Sequence, residues 1–273
     1  MRFEEPEMIR AKDNVRIKAA VRLRDDARER RDQGRFFLEG YRLCADALLS
    51  GCAPETLFLT KAARESYDTA ALEAAAGQVF LVPTELAGKL GDTKHPQGIF
   101  AVLRTPPEAP WHFRLRGRYA ALEGIQDPAN LGAVARTAEA LGADGLLLCG
   151  GCDRFHPKAQ RTAMGSLLRL PVLETADLPA ALAEAEALGI PAYAAVPDAS
   201  APAVTEMDGS GGGILVVGNE GNGLSAGLLA VCPRRVTIPM RGRAESLNAA
   251  AAAAILLWEL MGRCIPARAA AEF

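Results

Sequence analysis

The chain has 273 residues, 49% hydrophobic and 23% charged, with 33 acidic against 31 basic side chains for a net charge of −2. That composition belongs to a folded protein and excludes fibres, long disordered tails and a globally basic coat for nucleic acid. The length accommodates two domains of ordinary size.

The start, MRFEEPEMIR, lacks the apolar stretch of a secretory signal, and no run reaches the ~18 apolar residues of a membrane span. Six cysteines (Cys44, Cys52, Cys149, Cys152, Cys232 and Cys264) are scattered through a chain long enough to build a core without disulfides. A cytoplasmic protein with no membrane contact is expected. From Arg10 to Arg31, nine basic residues stand against four acidic ones. A solvated helix face and a phosphate-attracting surface explain that segment equally well. Residues 36–50 (FFLEGYRLCADALLS) read as a helix, and LFLT (57–60), QVFLV (78–82) and GIFAVL (98–103) as strands. A Pro-rich stretch, TPPEAP (105–110), followed by the basic WHFRLRGR, reads as a linker. The expected organisation is therefore a small α/β domain over 1–105, a linker over 106–118 and a second domain over 119–273.

In the second domain the apolar runs YAALEGI (119–125), GLLLC (145–149), AYAAV (192–196), ILVVG (214–218) and RVTIP (235–239) alternate with helical stretches. Continuous apolar strands between helices predict an α/β fold whose parallel sheet is buried on both faces. Further cations cluster at Arg114, Arg116 and Arg118, at Arg154, Lys158 and Arg161, and at Arg234, Arg235, Arg241 and Arg243. Such patches attract a phosphate backbone with an affinity that falls as salt rises.

Three segments begin where strands end: NLGAVARTAEALGA (130–143), VVGNEGNGLS (216–225) and IPMRGRAESLNAAAAAAILLWEL (238–260). Ligands of open parallel sheets bind beyond the carboxyl ends of the strands, so the three are expected to form one site. Asn130 is placed to cap its helix, with Arg136 further along the same helix. Gly218, Gly221 and Gly223 allow a close backbone turn, but in the order G-x-x-G-x-G, and no acid ends the next strand to hold a ribose. A dinucleotide fingerprint is thus poorly supported, and no Walker motif occurs. Glu220, inside the turn, would repel a phosphate and suits a cationic or hydroxyl-bearing ligand better. Ser246 and Asn248 precede six alanines, where capping alone would account for either.

Taken together, N-L-G-A-V-A-R-T-A, V-V-G-N-E-G-N-G-L-S and I-P-M-(x)6-S-L-N, in that order, resemble the SpoU-type (TrmH-like) ribose 2′-O-methyltransferases of the SPOUT superfamily. FFLEGYRLCADAL (36–48) and DTKHPQGIFAV (92–102) are similar to that family's RNA-substrate-binding domain. The resemblance implies a methyltransferase domain with a C-terminal trefoil knot, S-adenosyl-L-methionine as cofactor, and a homodimer formed through the knotted domain. It implies RNA as the substrate, with the separate first domain favouring ribosomal RNA and a transfer-RNA 2′-O-methyltransferase as the alternative. It also implies catalytic positions at Asn130, Arg136, Glu220, Ser246 and Asn248, and cofactor contacts at Val196, Gly218, Asn219, Glu220, Ile238, Met240 and Leu247. Arg136 would stabilise charge developing on the attacking 2′-oxygen, since a guanidinium keeps its proton and is a poor base. The role of Glu220 stays open between ordering the cofactor loop and pairing with a positive group. The run Ala249–Ala254 departs from the family pattern, where Ser or Val often follows the Asn. A half zinc site at Cys149, Cys152 and His156 lacks a second ligand pair, so no metal is expected. An RNA-binding protein that has lost methyl transfer is the alternative of a different class, and the intact Asn130, Arg136, Glu220 and Asn248 argue against it.

Overall fold

The computed structural model describes residues 5–108, 110–243 and 246–262. Two compact units make up the chain: Met1–Glu108 with Asp153–Arg169, and Ala109–Cys152 with Leu170–Phe273. The first contains β1 (Glu7–Met8), α1 (Val15–Asp25), α2 (Ala27–Gln33), β2 (Arg35–Glu39), α3 (Tyr41–Leu49), β3 (Pro54–Leu59), α4 (Lys61–Ser66), α5 (Ala70–Ala75), β4 (Gln78–Leu81), α6 (Thr84–Leu90) and β5 (Ile99–Arg104).

Its sheet has the order β1-β4-β3-β5-β2, with β5 antiparallel to both neighbours and the other pairs parallel. Successive strand residues point to opposite faces, which gives this sheet two cores. Phe37, Phe58, Phe80 and Phe100 meet Ile17, Ala20 and Leu23 of α1 on one face. Phe36, Leu38, Leu57 and Leu59 pack with Leu43, Cys44 and Ala47 of α3 on the other. The helix expected over 36–50 is corrected: its first residues form β2, paired with β5 in the register Phe36↔Leu103, and the helix starts only at Tyr41. Gly40, at φ +100°, makes the break, a conformation that side-chain-bearing residues rarely adopt.

The second unit opens with β6 (Arg118–Glu123), α7 (Pro128–Ala140) and β7 (Gly145–Cys149). The next helices, α8 (Pro157–Ala163) and α9 (Ser166–Arg169), belong to the first unit. There Asp153 forms a 2.6 Å ion pair with Arg30, which is only 3% exposed, and Phe155 joins the α3-side core. Arg161 pairs with Asp92. The second unit resumes with β8 (Val172–Glu174), α10 (Leu178–Ala187), β9 (Ala192–Ala195), β10 (Gly213–Val217), α11 (Ala226–Val231), β11 (Arg234–Val236) and α12 (Ala249–Gly262).

These strands form one sheet, β11-β9-β10-β6-β7-β8, parallel throughout. Helices α10 and α11 cover one face through Leu178, Leu182 and Leu228, while α12 packs against β10, β6 and α7. The strand expected over 235–239 ends at Val236, beyond which Thr237 keeps only a bridge to Ala203. β8 was not expected, because three residues are too short to carry a periodicity. All three of the alternating Arg114, Arg116 and Arg118 are engaged: Arg114 pairs with Asp144, and Arg116 and Arg118 donate to the carbonyls of Ser210 and Gly209. Arg234 makes a bidentate pair with Glu186. Among the described residues no helix is long and apolar enough to cross a membrane.

Candidate active site

The second unit gathers its polar side chains at the carboxyl ends of β6 and β10 and the start of α12. Asp127, not Asn130, caps α7: its side chain accepts from the Ala129 N–H at 2.9 Å, and Pro128 takes the first helical position, where a missing N–H costs nothing. Asn130 is thereby released from capping. It lies in the first turn, 6% exposed, and its amide joins two other segments. The Asn130 Nδ2 donates to Glu220 Oε1 at 2.8 Å, and its Oδ1 accepts from Asn248 Nδ2 at 3.0 Å.

Each amide in this chain has one possible orientation. An ionised carboxylate only accepts, so Asn130 must turn its NH2 toward Glu220 and its oxygen toward Asn248. Asn248 must donate in return, because its own oxygen accepts from the Ala250 and Ala251 N–H groups at 2.9 and 3.2 Å and so caps α12. Glu220 completes the chain by accepting from the backbone N–H groups of Gln126 and Asp127 at 3.0 and 3.2 Å. The carboxylate thus receives the two backbone N–H groups that lead into α7. Partial burial pushes Glu220 upward, yet the hydrogen bonds from Asn130 and the backbone N–H groups outweigh it and hold the carboxyl below the usual range.

The glycine turn after β10 is folded on itself. A Cβ at Gly218 would come within 2.3 Å of the Gly223 carbonyl carbon, so no larger residue fits. The Asn219 and Gly223 backbones exchange hydrogen bonds of 3.0 and 2.9 Å. Asn219, expected as a cofactor contact, spends its side chain internally: Oδ1 accepts from the N–H groups of Gly221 and Asn222, and Nδ2 donates to the Gly124 carbonyl at 2.7 Å. At the far end of the turn, Ser225 caps α11 and donates from both N–H and Oγ to the Glu123 carboxylate, at 2.7 and 2.6 Å. Sequence reasoning missed Glu123. The available signal was an acid closing an otherwise apolar strand.

The other expected residues fall in two groups. Val196, Gly218 and Ile238 follow the carboxyl ends of β9, β10 and β11, which are neighbours in the sheet. The Val196 N–H donates to the Val236 carbonyl at 3.0 Å, holding two of those ends together. Met240, Ser246 and Leu247 are exposed on the segment leading to α12. Arg136 is exposed too, six residues and therefore about 120° around the helix from Asn130. It forms no ion pair or side-chain hydrogen bond among the described residues. Asn130, Glu220 and Asn248 are thus joined directly, while Arg136 and Ser246 are not bonded to them.

Apolar side chains at Val196 and Ile238 just beyond two neighbouring strand ends, together with a carboxylate at Glu220 after a third, are chemically suited to a ligand with a flat ring and a positive centre. S-adenosylmethionine has both.

The SpoU rRNA Methylase family model matches residues 117–258, and a model of the MRM3-like substrate binding domain matches residues 14–101. The 23S rRNA (guanosine(2553)-2′-O)-methyltransferase RlmP of Bacillus subtilis is 34% identical over 236 residues, covering 86% of this chain and 92% of its own. The 23S rRNA (uridine(2479)-2′-O)-methyltransferase of Streptomyces viridochromogenes is 31% identical over 271 residues, covering 94% and 93%. The crystal structure of an AdoMet-bound rRNA methyltransferase from Sinorhizobium meliloti superposes with a TM-score of 0.83 at 28% identity, over 95% of this chain and 99% of that one.

Proposed function

Because the chain belongs to the SpoU rRNA methylase family, we infer that it is an S-adenosylmethionine-dependent RNA ribose 2′-O-methyltransferase acting on ribosomal RNA. The observation that carries this reading is the hydrogen-bonded chain Glu220–Asn130–Asn248, which ties all three motif segments into one site. Relatives sharing nearly the whole length, named as 23S rRNA 2′-O-methyltransferases, favour ribosomal over transfer RNA.

In this reading Val196, Gly218, Ile238, Met240 and Leu247 hold the cofactor, with Asn219 serving through its backbone and Glu220 near the positive centre. The bound cofactor supplies a methyl group on a sulfonium. The reaction is an in-line displacement, and much of its barrier is removed by holding nucleophile and methyl in register. Arg136, whose guanidinium is not engaged by any acid among the described residues, stabilises the negative charge growing on the 2′-oxygen. A neighbouring phosphate or water takes the proton. Asn130 and Asn248 keep the three loops in place, and Ser246 orients the ribose. Residues 1–105 present the RNA and 119–273 carry the transfer, with 106–118 between them and Asp153–Arg169 packed with the first unit, and the strand-end loops are threaded as a trefoil knot.

A homodimer accounts for the outer face of α12, where Ala251, Ile255 and Trp258 form an exposed stripe at i, i+4, i+7 spacing, with Ile255 41% and Trp258 58% exposed. The site of action is the cytoplasm, with the ribosomal RNA.

The Arg136→Lys variant tests the assignment of roles. It is expected to bind S-adenosylmethionine like the wild type in calorimetry, while its kcat on ribosomal RNA falls at least ~100-fold, the scale seen when one charge-stabilising donor is removed. Wild-type turnover in the lysine variant would contradict it.

A further inference from the structure

In the first unit, a cleft of about 320 Å³ opens beside α1 at Ala19 and Ala20, with Phe58 and Val102 of the sheet at its base. Its size is at the lower end of small-molecule sites. Polar groups stand at its rim. Gln78 lies on one side, and on another the Glu55 carboxylate is gripped by Arg35, at 2.5 Å, and by Arg104. Arg16 lines the helix side with its guanidinium carbon 4.8 Å from the Phe80 ring centroid, and the residue is exposed. A planar cation set over a ring offers its second face for stacking. Outside the cleft, Arg10, Lys12, Lys18 and Arg22 are exposed along the same segment.

An apolar slot with hydrogen-bonding edges suits a flat heteroaromatic ring, and the cations around it suit the phosphates on either side of that ring. We propose that this cleft takes up one unpaired base of the RNA substrate, stacked on Arg16 and read at its edge by Glu55 and Gln78. Recognition of single-stranded RNA commonly works this way, with a base splayed out onto an aromatic or guanidinium plane. The site is separate from the transfer site. It anchors the RNA at a nucleotide other than the one methylated, and it rests on the reading that RNA is the substrate.

Two variants of the full-length protein test it, Ala19→Leu, which fills the slot, and Arg16→Ala, which removes the stacking plane at an exposed position. The measurements are anisotropy with a labelled single-stranded RNA of mixed sequence, KM for ribosomal RNA, and calorimetry with S-adenosylmethionine. Both variants are expected to weaken RNA binding and raise KM by about tenfold or more, the scale of one lost base stack, with cofactor affinity unchanged. Wild-type RNA affinity in both variants overturns the proposal, and if Ala19→Leu does not fold, Arg16→Ala decides alone. Free nucleoside 5′-monophosphates form a separate arm: saturation of the cleft by them without any binding of the RNA also overturns it. Should the wild type itself neither bind nor methylate RNA, the functional reading fails and this site with it.

Discussion

Asn130 shows how one amide can hold a site together. Buried between a carboxylate that only accepts and an amide that must donate, it cannot be exchanged for a residue with one kind of polar atom without leaving a partner unpaired. Replacing it by Ala is expected to cost about 1 kcal/mol of stability, the net worth of hydrogen bonds whose other partners, Glu220 and Asn248, are exposed and can turn to water, measured by denaturant unfolding. It should also change the pH response. The Glu220 carboxyl sits below its ordinary pKa in the folded protein, so its contribution is present above the unfolded value and is lost as pH falls through the folded one. The wild type is therefore expected to lose stability on acidification more steeply than Asn130→Ala, in which one of the hydrogen bonds holding that pKa down is gone. Equal acid limbs in the two proteins would show that Asn130 does not act on Glu220. The sequence alone could name Asn130, Glu220 and Asn248 but not their mutual bonds. The cap itself was legible, since Asp127 followed by Pro128 is the local signature of a helix start and leaves Asn130 in the first turn.

At the scale of elements, the glycine turn is pinned at both ends. Asn219 closes its start against Gly124, and the Glu123 carboxylate takes the N–H and Oγ of Ser225 at its end. Bonds to an ionised acceptor are the stronger kind, and this pair spans from β6 to the cap of α11. We propose Glu123 as a positioning residue that acts on the loop through Ser225. Glu123→Ala should raise the dissociation constant for S-adenosylmethionine several-fold and leave kcat at saturating cofactor nearly unchanged, with Glu123→Gln restoring part of the affinity. An equal fall in kcat would place Glu123 in the chemistry instead. The parallel strands of the second unit were legible because buried on both faces they are continuously apolar. Residues 36–50 were misread for a related reason: an apolar run has no visible period, and the strand-to-helix break rests on one glycine.

On the scale of the whole molecule, the sequence order does not predict which residues pack together. Asp153–Arg169 lies within the stretch matched by the methylase family model, yet it packs in the first unit through Asp153 on Arg30 and Phe155 in its core. Neither partner is close in sequence, so no window along the chain could show it. The same holds for the cationic patches, whose members at Arg114, Arg161 and Arg234 are held by distant acids. The proposed homodimer makes a global prediction: wild-type protein is expected to sediment as a dimer and Trp258→Glu as a monomer, while Leu256, Leu257 and Leu260 keep the helix on its core. A monomeric wild type, or a dimer unchanged by Trp258→Glu, would contradict an interface on this stripe.

The most direct measurement supplies purified protein with S-adenosylmethionine labelled on the methyl group and with ribosomal RNA from cells lacking the protein. The RNA is then hydrolysed in alkali, which cannot cleave next to a 2′-O-methylated ribose. The expected result is label confined to alkali-resistant dinucleotides from a single position, abolished in Arg136→Lys. Label on a base, or none in ribosomal RNA that folded enzyme has bound, would contradict ribose methylation.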